Sequence, residues 1–296
     1  FQGQSESALL HRNSFLEEID KFDHNYFDLP PKEAQFMDPA HRFFLETTCE
    51  SFQDSSQATA SSTLKTGLYL GMTPNYTYRQ MLREVTHNPP QGQTAMGNIA
   101  SIASSRISYL LDLRGPNLLI DTSCSSALVA LHSAAKAIQR GECDQALAGG
   151  IKLMILPQKD QYQLGLESKD GHTRPFEDSS DGTSWGEGVV SVFLKPLKKA
   201  KEDKDNIYAV LKGSAVNQDG QSVGLTAPNA RAQEEVLVSA WQDANIDPAT
   251  ISYIEAHGTG TQLGDPIEVE GMTRAFRRYT DKRHFCAIGS VKSNLG

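Results

Sequence analysis

The sequence has 296 residues, with 28 Lys and Arg against 36 Asp and Glu. The net charge of -8 argues against a nucleic-acid partner. The chain is long enough to bury a sizeable core, as one large domain or two fused halves. No apolar run is long enough to span a bilayer, and no basic flank precedes a hydrophobic stretch at the start, so no membrane association is expected and a cytoplasmic protein is the default.

In chain order, a loop-rich start gives way to a helix near Pro39 to Gln53, where Phe43, Phe44, Thr47 and Phe52 supply a partial apolar face. A Ser- and Ala-rich linker from Ser55 to Ser62 follows, then a strand over Thr66 to Met72. Asn75 to Gln93 is polar and turn-rich, with paired Pro89 and Pro90, and reads as a surface loop. Ile99 to Leu111 has a helical pattern. Leu118, Leu119 and Ile120 form a short apolar strand, and Ala127, Leu128, Leu131, Ala135 and Ile138 recur on one helix face that Gly141 closes. Gln145 to Leu156 is apolar enough for a buried strand. Gly188 to Leu194 and Ile207 to Ala215 read as strands, and Ala230 to Ala244 as a helix preceded by Pro228. Ile251 to Ala256 is a strand ending at His257. This alternation indicates an α/β class, and no internal repeat is visible.

The four cysteines, Cys49, Cys124, Cys143 and Cys286, have no metal-ligand spacing and no close pairing, so reduced thiols are expected rather than zinc or disulfides. Cys124 falls at the strand-to-helix turn, where free backbone N–H groups and the positive end of the helix dipole favour a thiolate and nucleophilic catalysis. An arbitrary cysteine at a helix start is by default a small packing residue. His257 is trailed by Gly258 and Gly260, which let backbone approach a ligand closely. An imidazole there can exchange a hydrogen bond with a thioester or enolate oxygen. His24, His87, His172 and His284 read as structural, as does His132 within its helix. Thr259 and Thr261 are by default turn hydroxyls, while Asp265 and Glu268 precede a helix whose N-terminus favours carboxylates.

Three ordered segments carry a resemblance: DTSCSSALVALH at residues 121 to 132, EAHGTGTQLGDPIEVEG at 255 to 271 and GSVKSNLG at 289 to 296. Residues 15 to 46, 174 to 190 and 217 to 237 belong to the same pattern, with Ala40 and His41 standing where it usually has glutamines. The chain resembles beta-ketoacyl synthases, specifically the ketosynthase domains of modular polyketide synthases, and most of all bacterial ones served by separate acyltransferases.

That resemblance implies a thiolase-like α/β fold of two similar halves, each a mixed sheet packed between helices. The first half, approximately residues 1 to 195, would carry the nucleophile Cys124, and the second, approximately 196 to 296, the catalytic His257. It further implies that Thr259 and Thr261 contact a phosphopantetheine arm and that Glu268 meets Lys292 in a buried ion pair supporting the site. The implied partners are an acyl carrier protein, acyl and malonyl-type thioesters, neighbouring synthase domains and a second copy of the chain. The only cofactor implied is the carrier's phosphopantetheine arm, with no metal and no redox group. A complete domain of the family begins with a further strand and helix and continues past Gly296, where a second histidine follows, so a longer polypeptide is expected. A non-elongating ketosynthase that only passes acyl chains on, and a docking or scaffold module, are the alternatives. A degradative thiolase is disfavoured because Cys286 lacks a glycine-rich setting.

Overall fold

A computed structural model describes residues 14–55, 64–86, 89–155, 165–224 and 226–296. His87, most of the Ser55 to Ser62 linker and the end of the Gln145 to Leu156 segment lie outside these described residues. The described chain forms two compact units that alternate along the sequence, one from 16–155 and 187–210, the other from 14–15, 165–186 and 211–296.

The first unit is built on a four-stranded sheet of β1 (Thr66–Gly71), β2 (Asn117–Ile120), β3 (Gln145–Lys152) and β4 (Gly188–Leu194), in the order β2-β1-β3-β4. β1 runs parallel to both β2 and β3, and β4 is antiparallel to β3. The central strands β1 and β3 are buried almost throughout, which is why they read as continuous runs of apolar and small residues rather than as alternating ones. Of the helices α1 (Pro31–Phe36), α2 (Pro39–Asp54), α3 (Thr77–Val85), α4 (Gln91–Asn98) and α5 (Ala100–Leu110), α2 and α5 pack on one sheet face through a core that includes Met37, Phe44, Leu45, Leu68, Ile107 and Leu147, while α4 packs against α1, α3 and α5. On the other face, Ala130, Ala134 and Ala137 of α6 (Ser126–Gln139) meet Tyr69, Ala146 and Ala148. Their small side chains let the helix lie close to the sheet. A last helix, α7 (Leu197–Asp203), follows β4. Asp38 caps α2 by accepting the Ala40 N–H at 2.8 Å, with Pro39 at the first helical position, where a missing N–H costs nothing.

Two expectations are corrected here. The Asn75 to Gln93 stretch is not a loop, since it contains α3 and the start of α4. The Asn75 side chain accepts the Thr77 N–H at 2.9 Å, and Tyr78 and Leu82, four apart, pack on Phe36. So narrow an apolar stripe is masked by its polar neighbours. Ile207 to Ala215 is not a strand: it has no ladder partner among the described residues, and Ile207, Tyr208, Val210 and Leu211 are exposed.

The second unit contains α8 (Ala230–Ala244), α9 (Gly264–Arg277), a short helix α10 (Lys292–Leu295) and a parallel pair, β5 (Tyr253–Glu255) with β6 (Ala287–Gly289). Asn229 caps α8 by accepting the Arg231 N–H at 3.0 Å, and Asn245, at φ 49°, closes it in the left-handed conformation. Val238 and Trp241 of α8 pack on Ala275 and Phe276 of α9, with the Trp241 and Phe276 ring centroids 4.8 Å apart.

Candidate active site

Cys124 stands beyond the carboxyl end of β2, which runs parallel to β1. After β2 the chain passes through Asp121 and Thr122 into a single 3-10 turn, Ser123–Ser125, before α6 starts at Ser126. The cysteine therefore sits in a turn ahead of the α-helix instead of on its first residue. Hydroxyl and carboxylate groups lock that turn. The Asp121 carboxylate accepts the Ser123 N–H at 3.1 Å and the Thr73 hydroxyl at 2.8 Å. Ser126 Oγ accepts the Thr122 N–H at 2.8 Å and donates to the Ser123 carbonyl at 2.7 Å, while Ser125 Oγ donates to the Thr122 carbonyl at 2.9 Å.

Ser123 is held at φ 57°, a left-handed backbone that costs a residue with a Cβ about 1–3 kcal/mol and persists only where its surroundings fix it. Two glycines bring the turn down onto the strand ends. A Cβ on Gly71 would fall 2.5 Å from the Ser126 carbonyl carbon, and one on Gly150 2.8 Å from the Ala127 Cβ. Cys124 emerges exposed, whereas Cys143 is buried and Cys49 and Cys286 are half-buried. Burial pushes those other three thiols up in pKa, away from the reactive thiolate.

In the second unit, His257 follows β5, and the turn after it hangs from the carboxylates of α9. The Glu268 carboxylate accepts the His257 N–H at 2.6 Å and the Gly258 N–H at 2.8 Å, one on each oxygen. Asp265, only 5% exposed, accepts the Gly260 N–H at 3.1 Å and the Phe176 N–H at 2.8 Å. Gly258 and Gly260 adopt φ 44° and 69°, so the double turn between β5 and α9 needs glycine at both. Thr259 Oγ1 lies 3.1 Å from Thr261 Oγ1, which accepts the Gly264 N–H at 3.1 Å. The Gly182 N–H donates to the Gly260 carbonyl at 2.9 Å, which ties residues 174–182 to the same turn.

The His257 residue is exposed at its edge, yet its imidazole is crowded by protein atoms. That desolvation, and next the Lys292 charge, lower its pKa below the ordinary histidine value against the opposing pull of Glu268 and Asp265. That shift favours the neutral imidazole. Lys292 opens α10, just beyond β6.

Cys124 thus lies in one compact unit, and His257, Thr259, Thr261, Glu268 and Lys292 come together in the other. Two sequence expectations change. Asp265 and Glu268 lie within the first two turns of α9 rather than ahead of it. The expected Glu268–Lys292 ion pair is not among the ion pairs of the described residues, because the Glu268 carboxylate is turned to the two backbone N–H groups. Sequence reasoning also missed Asp265 as the residue that pins the glycine turn. The signal was present in its spacing, five residues after Gly260, which lets a carboxylate in the first turn of α9 reach back to an unpaired N–H.

Residues 4–200 match the family model described as Beta-ketoacyl synthase, N-terminal domain, and residues 208–296 match Beta-ketoacyl synthase, C-terminal domain. Polyketide synthase PksM of Bacillus subtilis (strain 168) is 44% identical over 293 residues, covering 95% of this chain and 7% of that protein. Polyketide synthase PksL of the same organism is 43% identical over 291 residues, covering 95% of this chain and 6% of its own. Among solved structures, the ketosynthase from module 6 of the bacillaene synthase from Bacillus subtilis 168 superposes with a TM-score of 0.86 at 41% identity, over 95% of this chain and 48% of that one. Ketosynthase twelve from the bacillaene polyketide synthase in Bacillus amyloliquefaciens gives 0.89 at 39% identity, over 96% of this chain and 51% of that one. The chain spans about half the length of those ketosynthase chains and under a tenth of the two synthases.

Proposed function

Because the chain belongs to the beta-ketoacyl synthase family and has its thiolase-like α/β fold, we propose that it carries the nucleophile and a catalytic histidine of a polyketide ketosynthase. An acyl group passes from a carrier-protein thioester to Cys124: the Cys124 sulfur forms a bond to the acyl carbon, and the carrier thiol leaves with the proton. One thioester replaces another, so the exchange is close to isoenergetic. A malonyl-type thioester then takes the vacated arm site. Its carboxylate leaves as carbon dioxide, and the electron pair of the broken bond becomes an enolate whose oxygen needs fixed donors. A neutral His257 offers one such donor. The enolate carbon attacks the Cys124 thioester, a carbon–carbon bond forms, and the Cys124 sulfur is released with the β-ketoacyl chain on the carrier. The tetrahedral oxyanion of that step falls to backbone N–H groups, that of Cys124 among them.

Thr259 and Thr261 are assigned to the phosphopantetheine arm, and Lys292 and Glu268 to support of His257, Glu268 by fixing its backbone and Lys292 by its charge. The partners on this reading are an acyl carrier protein, neighbouring synthase domains, a separate acyltransferase that charges the carrier, and a second copy of the chain. The setting is the cytoplasm. No helix among the described residues is long and apolar enough to cross a membrane. The division into a cysteine half to about residue 195 and a histidine half beyond it belongs to the same proposal.

The observation that carries the reading is the Cys124 turn, an exposed thiol fixed after strand β2 by a left-handed Ser123 and three hydrogen bonds of the Ser125 and Ser126 hydroxyls. Its test separates the two half-reactions. In the full polypeptide, His257→Ala should still take up an acyl group from an acyl thioester but yield no β-ketoacyl product with a malonyl carrier thioester. Condensation by that variant at the unsubstituted rate contradicts the role of His257. Loading without condensation in the unsubstituted protein identifies a non-elongating enzyme.

A further inference from the structure

Along β3 the side chains alternate between two faces. Leu147 and Ile151 join the core of Met37, Phe44 and Ile107, whereas Ala146 and Ala148 pack with Ala130, Ala134 and Ala137 of α6. Gly150 continues the α6 face one step nearer the helix N-terminus, since a Cβ there would lie 2.8 Å from the Ala127 Cβ. With a period of two, Lys152 is the next residue on that face, and Ala127, which Gly150 meets, lies three residues after Cys124.

Electrostatics agree with that placement. The Lys152 ammonium is coupled by charge to Cys124 and to Glu187, and the larger effect of partial burial lowers its pKa. Glu187 is itself fixed, its carboxylate accepting the Met154 N–H at 2.5 Å and the Leu16 N–H at 2.8 Å. An ammonium carries three donors, so one bonded to a protein neighbour still has capacity for a substrate atom.

We propose that Lys152 is a specificity-determining residue of the acyl site, donating a hydrogen bond to an acceptor oxygen carried on the acyl chain within a few atoms of the thioester that Cys124 receives. The inference rests on the reading of Cys124 as the acyl-bearing nucleophile. A partly desolvated charged donor discriminates well, because a chain lacking the oxygen leaves its hydrogen-bonding capacity unmet. The substrate class is then an acyl thioester with a hydroxyl or carbonyl close to the thioester carbon, in preference to the plain alkyl chain of equal length.

The test compares self-acylation of the full polypeptide by the pantetheine thioesters of 3-hydroxybutanoate and butanoate. The unsubstituted protein should favour the hydroxy chain by about tenfold or more, as a charge-assisted hydrogen bond allows. Lys152→Met should reduce that ratio by about the same factor, and Lys152→Arg should keep part of it. A merely structural role would slow both thioesters alike and leave the ratio unmoved. Lys152→Gln, which loses the charge, gives the same comparison if the methionine variant does not fold. Equal loading of both thioesters by the unsubstituted protein, or a ratio unchanged in the uncharged variants, overturns the role of Lys152 alone. Uptake of neither thioester by the unsubstituted protein overturns the reading of Cys124 on which it rests.

Discussion

At the scale of single residues, the site is built from side chains that hold backbone in place more than from side chains that face a substrate. Glu268 shows the difference. Its two oxygens take two consecutive N–H groups, those of His257 and Gly258, so it fixes the backbone from which the imidazole projects. A glutamine keeps one acceptor oxygen and presents an NH2 group to the second N–H, which leaves that donor unpaired. Glu268→Gln should therefore cost about 1–3 kcal/mol in urea unfolding and slow condensation more than acyl loading. Equal effects on both half-reactions would place Glu268 outside the support of His257. The placement of Cys124 in the turn after an apolar strand, and of His257 after another strand, was legible in the sequence because small, polar and glycine residues mark both turns. The partner of Glu268 was not, because spacing shows that a carboxylate is near the turn without showing whether a cation or a pair of N–H groups meets it.

Among the elements, two were read to the residue. The strand at Gly188–Leu194 and the helix at Ala230–Ala244 have the bounds expected of them, the latter set by the Asn229 cap and the Asn245 terminus. The Ile207 to Ala215 run was misread because a strand requires a neighbour, which no apolar pattern can reveal. Helix α2 makes a prediction of its own. Burial raises the pKa of its cap, Asp38, to about 6, and lowers that of the neighbouring His41 to about 4. The folded-state value of Asp38 lies above its ordinary 3.8, so its contribution to stability is complete below that value and is lost as pH rises through about 6. His41 runs the other way, complete above its ordinary 6.5 and lost as pH falls through about 4. Asn keeps the cap without the charge. Asp38→Asn should raise the urea midpoint at pH 7.5, by up to about 3 kcal/mol in stability, and leave it nearly unchanged at pH 4. A variant less stable than the parent at both pH values would show that the carboxylate is needed in its charged form.

For the whole molecule, the contrast between a four-stranded sheet in one unit and a two-stranded parallel pair in the other was hidden in the sequence, because strand pairing depends on neighbours that no single segment reveals. The arrangement of compact units was equally hidden: residues 165–186 follow the cysteine segment in sequence but belong with the histidine unit, to which Gly182 and Phe176 are bonded. The sheet also leaves β2 at its edge, with Leu118 48% exposed. An apolar, unpaired edge is a site of association, and two-fold pairing is the commonest form it takes. The full polypeptide should be a homodimer by light scattering at micromolar concentration, and Leu118→Lys should shift it toward monomer. A monomeric parent at that concentration contradicts the assignment of this edge.

The central claim is that Cys124 carries the acyl group, and intact-mass analysis with peptide mapping tests it most directly. After incubation of the full polypeptide with an acyl-pantetheine thioester, the account predicts a mass gain of one acyl group, located on the peptide containing Cys124, and no gain in a folded Cys124→Ala variant. The same gain in the alanine variant, or an acyl group mapped to Cys49, Cys143 or Cys286, would contradict it.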